Sequence, residues 1–173
     1  MFAEVFSLAS ELGVKTCVGT ETPLHLPQLI QERLKEQGKD PKDPDLVTEY
    51  YRGIFSRIAK AYPVDYYWLW TPENWTWKGN TEEQMEETIA DMKYALSAMD
   101  SIGNPMTLAT CGWVLGPMQD RAAFDNLLPK TSPMSCISRQ TGHAPIEPSF
   151  ANITGRPKWA IPWLENDPNM VAP

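Results

Sequence analysis

The chain has 173 residues, of which 42% are hydrophobic and 21% are charged, a composition typical of a folded domain and not of a disordered or fibrous segment. Its 22 acidic and 15 basic residues give a formal charge of −7, which disfavours binding to a nucleic-acid backbone. No apolar run reaches the roughly 18 residues that span a bilayer and no signal-peptide pattern is present, so we expect no membrane role and leave the cellular location open.

Five short apolar runs predict β-strands. They are rich in β-branched or aromatic residues, and turn-forming residues follow most of them. The predicted strands are residues 14–20, 66–72, 106–113, 133–138 and 158–164. Pro162 is unfavourable in a central strand, because proline cannot donate to the ladder of hydrogen bonds.

Segments between these strands have apolar side chains at helical spacing, which predicts helices. In chain order they are residues 2–12 ending at Gly13, a short segment around Leu29 to Leu34, Leu46 to Ala61, Met85 to Met99 ending at Gly103, and Arg121 to Leu128. Asp45 and Asn80 are predicted to cap the third and fourth helices, since short polar side chains accept hydrogen bonds from free N–H groups at helix starts.

The three cysteines lie far apart in the sequence. Cys17, Cys111 and Cys136 each fall within a predicted strand, and their odd number favours buried reduced thiols over a disulfide framework. His25 and His143 are the only histidines, so we predict neither a metal site nor another cofactor.

The alternation of helix and strand predicts an α/β fold with a parallel sheet and right-handed crossovers. The chain contains neither GxGxxG nor GxxxxGKS, so a nucleotide-binding open sheet lacks its main marker. We therefore predict a parallel (β/α)8 TIM barrel. Because a closed barrel takes about 250 residues, five strands predict an incomplete barrel in a single domain over residues 1–173, an internal fragment of a longer chain.

Two strand ends carry glutamates in short motifs. Glu73 lies in WTPENW at 70–75, at the end of the second predicted strand. Glu165 lies in WLEND at 163–167, at the end of the fifth, which is the third strand after that of Glu73. This interval resembles the (β/α)8 glycoside hydrolases of clan A, in which the acid/base follows the fourth strand and the nucleophile the seventh. The resemblance implies that the chain covers strands three to seven. Pro72 stands where that family commonly has Asn before the acid/base.

The resemblance implies a retaining glycoside hydrolase that cleaves a poly- or oligosaccharide with Glu73 as acid/base and Glu165 as nucleophile. Such cleavage needs two carboxyl groups about 5 to 5.5 Å apart. Four tryptophans flank Glu73 in the sequence, and apolar surroundings favour the uncharged acid. Asn166 and Asp167 make the neighbourhood of Glu165 polar, which suits a carboxylate nucleophile.

Further polar and aromatic residues at strand ends are candidates for substrate binding. Asn74 suits the hydroxyl next to the reacting carbon, Glu21 is a spare carboxylate, and Arg139 pairs either with a uronic acid or with one of the glutamates. The remaining candidates stack on sugar rings or hydrogen-bond to hydroxyls, and they are Trp75, Trp77, Trp113, His25 and His143.

Two other functions remain open at this point. The chain is alternatively a non-catalytic carbohydrate-binding or scaffold fragment, or part of a metal-dependent barrel enzyme that uses Glu21, His25 and His143. An incomplete barrel also leaves a sheet edge open, and open edges pair with other chains, so we expect self-association.

Overall fold

The structure is a computed structural model and describes residues 2–75, 79–112, 124–138 and 148–162. Helices and strands alternate through most of this part of the chain. In chain order the elements are α1 (Phe2–Glu11), β1 (Cys17–Glu21), α2 (Gln28–Glu36), α3 (Pro44–Ala61), β2 (Tyr66–Trp70), α4 (Glu82–Ser101), β3 (Thr107–Gly112), β4 (Met134–Ser138), α5 (Pro148–Ala151) and β5 (Lys158–Pro162).

The five strands form one parallel sheet in the order β1-β2-β3-β4-β5, which is also their order in the chain. In the register, Cys111 pairs with Ser135 between β3 and β4, and Cys136 pairs with Ala160 between β4 and β5. Each observed strand lies within its predicted range, except that β1 extends one residue further to Glu21. The predicted α/β class with a parallel sheet is confirmed.

The chain divides into two compact units. The first contains Met1–Trp68 and Ala90–Leu108, and the second contains Leu69–Ile89 and Ala109–Pro173. The prediction of a single domain stays a prediction.

Aromatic packing between α3 and β2 builds the core of the first unit. Tyr51 stacks on Phe55 with ring centroids 5.4 Å apart, and Phe55 meets Tyr67 of β2 edge to face at 4.8 Å. Residues of β2 alternate in burial: Tyr67 and Leu69 are buried, whereas the other three are half-buried. This contact and this alternation place Tyr67 on the face of β2 that α3 covers.

Gly19 in β1 allows a close approach to β2. A Cβ atom at this position would collide with the backbone oxygen of Trp68, so any larger residue would push the two strands apart. Cys17, two residues earlier, is a free thiol and is half-buried. Burial raises the pKa of Cys17 to about 12, which keeps the thiol protonated and poorly nucleophilic.

A carboxylate joins the starts of β1 and β2. Asp65 Oδ2 accepts hydrogen bonds from the Thr16 N–H at 2.9 Å and from the Thr16 hydroxyl at 3.1 Å. Asp65 Oδ1 accepts a hydrogen bond from Lys15 Nζ at 2.6 Å. The hydrogen bond from Lys15, followed by that from the Thr16 N–H, lowers the pKa of Asp65. These contacts lie at the edge of the sheet where the strands begin.

A buried arginine in the second unit, just before β5, hydrogen-bonds to the turns that precede β4. Arg156 Nε donates to Asp125 Oδ1 at 2.8 Å, and its Nη atoms donate to the backbone oxygens of Asp125, Leu128, Pro129 and Ser132 at 2.5 to 3.1 Å. All five guanidinium hydrogens therefore have acceptors. The side chain holds the turns of residues 125–132 and has no donor left for a ligand.

Three details of the helices differ from the prediction. Asp43, not Asp45, caps α3, because its side chain accepts from the N–H groups of Asp45 and Leu46. Thr81, not Asn80, caps α4: the Gln84 N–H donates to its hydroxyl, and the Gln84 side chain accepts from the Thr81 N–H, which is a capping box.

The helix predicted from Arg121 to Leu128 is also wrong where the structure describes it, because residues 124–127 form turns. The prediction for α1 is confirmed: the helix ends before Gly13, whose φ of +72° favours glycine. Among the described residues, no helix is both long and apolar enough to cross a membrane.

Candidate functional site

The segment after β2 presents Glu73 at the edge of the sheet where the strands end. Thr71 is buried, and Pro72 leads into a turn that closes with a 3.1 Å hydrogen bond from the Trp75 N–H to the Pro72 oxygen. Glu73 and Asn74 at the tip of this turn are exposed, whereas Trp75 is buried. The sequence WTPENW therefore gives a turn with two polar side chains facing solvent and one aromatic anchor.

Trp75 provides this anchor by packing inside the second unit. Its side chain is only 2% exposed, and it meets Phe124 edge to face with ring centroids 6.5 Å apart. A buried indole has no free ring face, which argues against the predicted role of Trp75 in stacking on a sugar. Its position instead fixes the turn that carries Glu73.

The surroundings of Glu73 differ from those predicted. Trp75 turns into the core instead of covering Glu73, and Glu73 itself is exposed. Within the described part of the chain, its carboxylate makes no hydrogen bond or ion pair. The carboxylate is accessible to a substrate, but the apolar burial that we expected to favour the uncharged acid is not observed.

The second predicted catalytic glutamate follows the last strand. Pro162 is the last described residue of β5, and Glu165 stands three positions further along the sequence, whereas Glu73 stands three positions after Trp70, the last residue of β2. Glu165 itself lies outside the described residues, as do Trp77, Trp113, Arg139 and His143. Because the sheet is parallel, β2 and β5 end at the same edge, with the ends of β3 and β4 between them.

The segment after β1 belongs to the first unit and carries two further predicted site residues. Glu21, the last residue of β1, and His25 are both exposed. Neither side chain makes a hydrogen bond or ion pair with another described residue. Between them lie Thr22, which is buried, and Pro23, which follows a cis peptide bond.

A buried aspartate on α4 holds this segment. Asp91 Oδ2 accepts hydrogen bonds from the hydroxyls of Thr22 and Tyr51, both at 2.5 Å, and Asp91 Oδ1 accepts from the Leu24 N–H at 3.1 Å. Burial, followed by the charge of Asp91, strongly raises the pKa of Tyr51, so the phenol keeps its proton and remains a donor. Asp91 was not among the predicted site residues, although an acidic residue beside the apolar stripe of α4 was a usable signal.

The described residues contain no group of three or more His, Cys, Asp or Glu side chains arranged to hold a metal ion. His143, one of the three residues in the metal-dependent alternative, lies outside that part of the chain. The side chains of Cys111 and Cys136 are also outside the description, so their predicted state is untested.

No family model matches the chain, and searches of the curated proteins and of the solved structures found no match to it. The resemblance to the glycoside hydrolases of clan A stays a prediction.

Proposed function

We propose that the chain supplies both catalytic carboxyl groups of a retaining glycoside hydrolase that acts on a poly- or oligosaccharide. One observation carries the proposal: Glu73 follows β2 in the sequence, Glu165 follows the described part of β5, and two strands separate these parallel strands in the sheet. Chemistry in barrel enzymes takes place at this end of the strands. The exposure of Glu73 keeps its carboxyl group open to a substrate.

The same proposal includes a (β/α)8 barrel as the parent fold. The sheet order follows the chain without a reversal, and helices lie between β1 and β2 and between β2 and β3. A reversal in strand order would have indicated an open doubly wound sheet. An order that runs in one direction supports a sector of a barrel.

In the proposed mechanism, Glu165 attacks the anomeric carbon while Glu73 gives its proton to the leaving glycosidic oxygen. The bond to the leaving sugar breaks, and a covalent glycosyl-enzyme ester forms at Glu165. In the second step Glu73, now a carboxylate, takes a proton from water, and the water oxygen displaces Glu165 from the anomeric carbon. Two inversions give net retention of configuration. Asn74, exposed beside Glu73, donates a hydrogen bond to a neighbouring sugar hydroxyl.

Dependence on the leaving group tests the role of Glu73. Replacing a general acid lowers the rate by about 10²- to 10⁴-fold, and the loss should be largest for leaving groups that need protonation. We expect Glu73→Gln to reduce hydrolysis of oligosaccharides far more than hydrolysis of aryl glycosides with acidic phenols. The control is Glu36→Gln, which changes an exposed glutamate at the end of α2.

Equal losses on both substrate types would contradict the acid role of Glu73. Oligosaccharide binding by the unmodified chain without any hydrolysis would instead support the non-catalytic carbohydrate-binding alternative.

A further inference from the structure

The buried carboxylate of Asp91 has no part in the proposed mechanism. Asp91 lies in the middle of α4 and is only 5% exposed, and it accepts hydrogen bonds from Thr22, Tyr51 and Leu24. An aspartate is unfavourable inside a helix, and a buried charge adds little net stability compared with a well-packed apolar side chain. The presence of Asp91 therefore favours a role in fixing one particular geometry.

The geometry that Asp91 fixes is that of the segment after β1. Its carboxylate holds this segment at two points, the Thr22 hydroxyl and the Leu24 N–H, which are separated by one residue. Thr22 is buried, so water does not compete for its hydrogen bond. Glu21 directly precedes Thr22, is the last residue of β1 and is exposed. The backbone that carries the Glu21 side chain is therefore anchored on both sides, by the strand and by Asp91.

We propose that Asp91 is a positioning residue that holds the segment after β1 so that the Glu21 carboxylate accepts hydrogen bonds from two adjacent hydroxyls of a neutral sugar. The inference rests on the proposed function and adds to it a determinant of substrate binding. No described residue donates a hydrogen bond to the exposed Glu21 side chain. Hydrogen bonds from hydroxyls to a carboxylate are short and strong, and two carboxylate oxygens match two neighbouring hydroxyls. The same charge repels an anionic sugar.

Thr22→Val tests this role because it replaces the hydroxyl by a methyl group of similar size and leaves the Tyr51 and Leu24 donors of Asp91 in place. In the full chain carrying Glu73→Gln, a panel of gluco-, xylo-, manno- and galacto-oligosaccharides is titrated by calorimetry. We expect Thr22→Val to weaken binding of the preferred sugar about tenfold, the size expected when a hydrogen bond to a charged group is lost. Thr22→Ser keeps the hydroxyl and should restore most of the affinity.

Thr16→Val is the matched control, because Thr16 directly precedes β1 as Thr22 directly follows it. The Thr16 side chain is also buried, and its hydroxyl also donates to a carboxylate, that of Asp65. We expect both substitutions to lower the free energy of unfolding, but only Thr22→Val to weaken sugar binding. If Asp91 were purely structural, the two substitutions would have the same effect on affinity.

A double-mutant cycle tests whether Asp91 acts through Glu21. Glu21→Ala removes the proposed sugar-binding group at an exposed position, without a change in the buried cluster, and should weaken binding. Adding Thr22→Val to Glu21→Ala should cause less than about twofold further loss, because the side chain that the segment positions is already absent. Independent losses that add in full would contradict the positioning role.

The split between KM and kcat gives a readout that a loss of stability alone does not move. In the chain that retains Glu73, Thr22→Val should raise KM and leave kcat within about twofold, because Glu21 binds the sugar and does not touch the reacting bond. A fall in kcat with KM unchanged would contradict the proposal.

Unchanged affinity in Thr22→Val or in Glu21→Ala, an equal loss in Thr16→Val, or no binding of any sugar in the panel would each overturn the assignment. The proposed function fails separately. Sugar binding that depends on Glu21 and Thr22, in a chain with no hydrolysis, would retain the positioning role and remove the catalytic one. Hydrolysis that depends on Glu73, with KM and affinity unaffected by Thr22→Val, would do the reverse.

Discussion

The Tyr51 hydroxyl donates a 2.5 Å hydrogen bond to Oδ2 of Asp91, and through this carboxylate α3, α4 and the segment after β1 are joined. Tyr51 is fully buried and Asp91 nearly so. Burial of a carboxylate is costly unless its oxygens are satisfied, and here three donors surround it. The contact fixes the backbone between Glu21 and His25.

Removing the Tyr51 hydroxyl is expected to destabilise the chain. Tyr51→Phe leaves one lone pair of a buried carboxylate without its donor, and a hydrogen bond to a charged group contributes about 1.5 to 3 kcal/mol. The free energy of unfolding, measured in urea, should fall by that amount. Tyr50→Phe is the control, because Tyr50 is the adjacent tyrosine on α3 and is half-buried. An equal effect of both substitutions would contradict the role assigned to Asp91.

Acid should destabilise the fold through two aspartates, one directly before β2 and one in the turns at residues 124–127. Lys15 and the Thr16 N–H lower the pKa of Asp65 below 3.8. Burial acts to raise the pKa of Asp125, but the hydrogen bonds and charges of Lys130 and Arg156 outweigh burial, so the pKa of Asp125 is lowered as well. A carboxyl whose pKa is lower in the folded state contributes stability above its unfolded value, and this contribution is lost as the pH falls through the folded value.

The urea midpoint of the native chain should therefore drop as the pH falls from about 5 to about 2. Asp65→Asn should lower the midpoint at the upper end of this range and flatten the pH dependence. Glu36→Gln, at an exposed position, should leave the slope unchanged. If Asp65→Asn shows the same slope as the native chain, Asp65 does not contribute in this way.

The helix before β1 has a largely exposed apolar side. Phe2 is 65% and Leu12, just past the end of α1, is 70% exposed, and Val5 and Leu8 are also exposed. β1 is an outer strand of the described sheet. Exposed apolar side chains and an outer strand each favour association with a second copy of the chain.

Sedimentation velocity over a range of concentrations should therefore show reversible self-association. Leu12→Glu should weaken it, whereas Leu127→Glu, at an exposed leucine in the second unit, should not. A chain that remains monomeric at all concentrations would contradict this prediction, as would equal weakening by the two substitutions.

The strands were predictable because their signals are local. Apolar runs next to turn residues located all five strands, and the same pattern predicted their parallel arrangement. Pro162 is compatible with its place in β5 because β5 is an outer strand of the described sheet, where a missing N–H donor is tolerated. The caps were displaced by one or two residues because Asp43 and Asp45, like Asn80 and Thr81, offer equivalent chemistry, and only backbone geometry selects between them.

The site was less predictable because its decisive contacts join distant positions. The burial of Trp75 depends on Phe124, and the segment after β1 depends on Asp91, far along the chain. Periodicity gave no information on either contact. The sequence placed Glu73 at a strand end but could not show that the neighbouring indole turns away from it.

Covalent trapping tests the central proposal most directly. The full chain is incubated with a panel of 2-deoxy-2-fluoroglycosyl fluorides, which form the glycosyl-enzyme but release it slowly, and the peptides are then mapped by mass spectrometry. We expect one fluorosugar to attach to Glu165 in the native chain, and Glu165→Gln to abolish the label. A label on another carboxylate, or no label with any sugar of the panel, would contradict the assignment of Glu165 as nucleophile and the retaining mechanism with it.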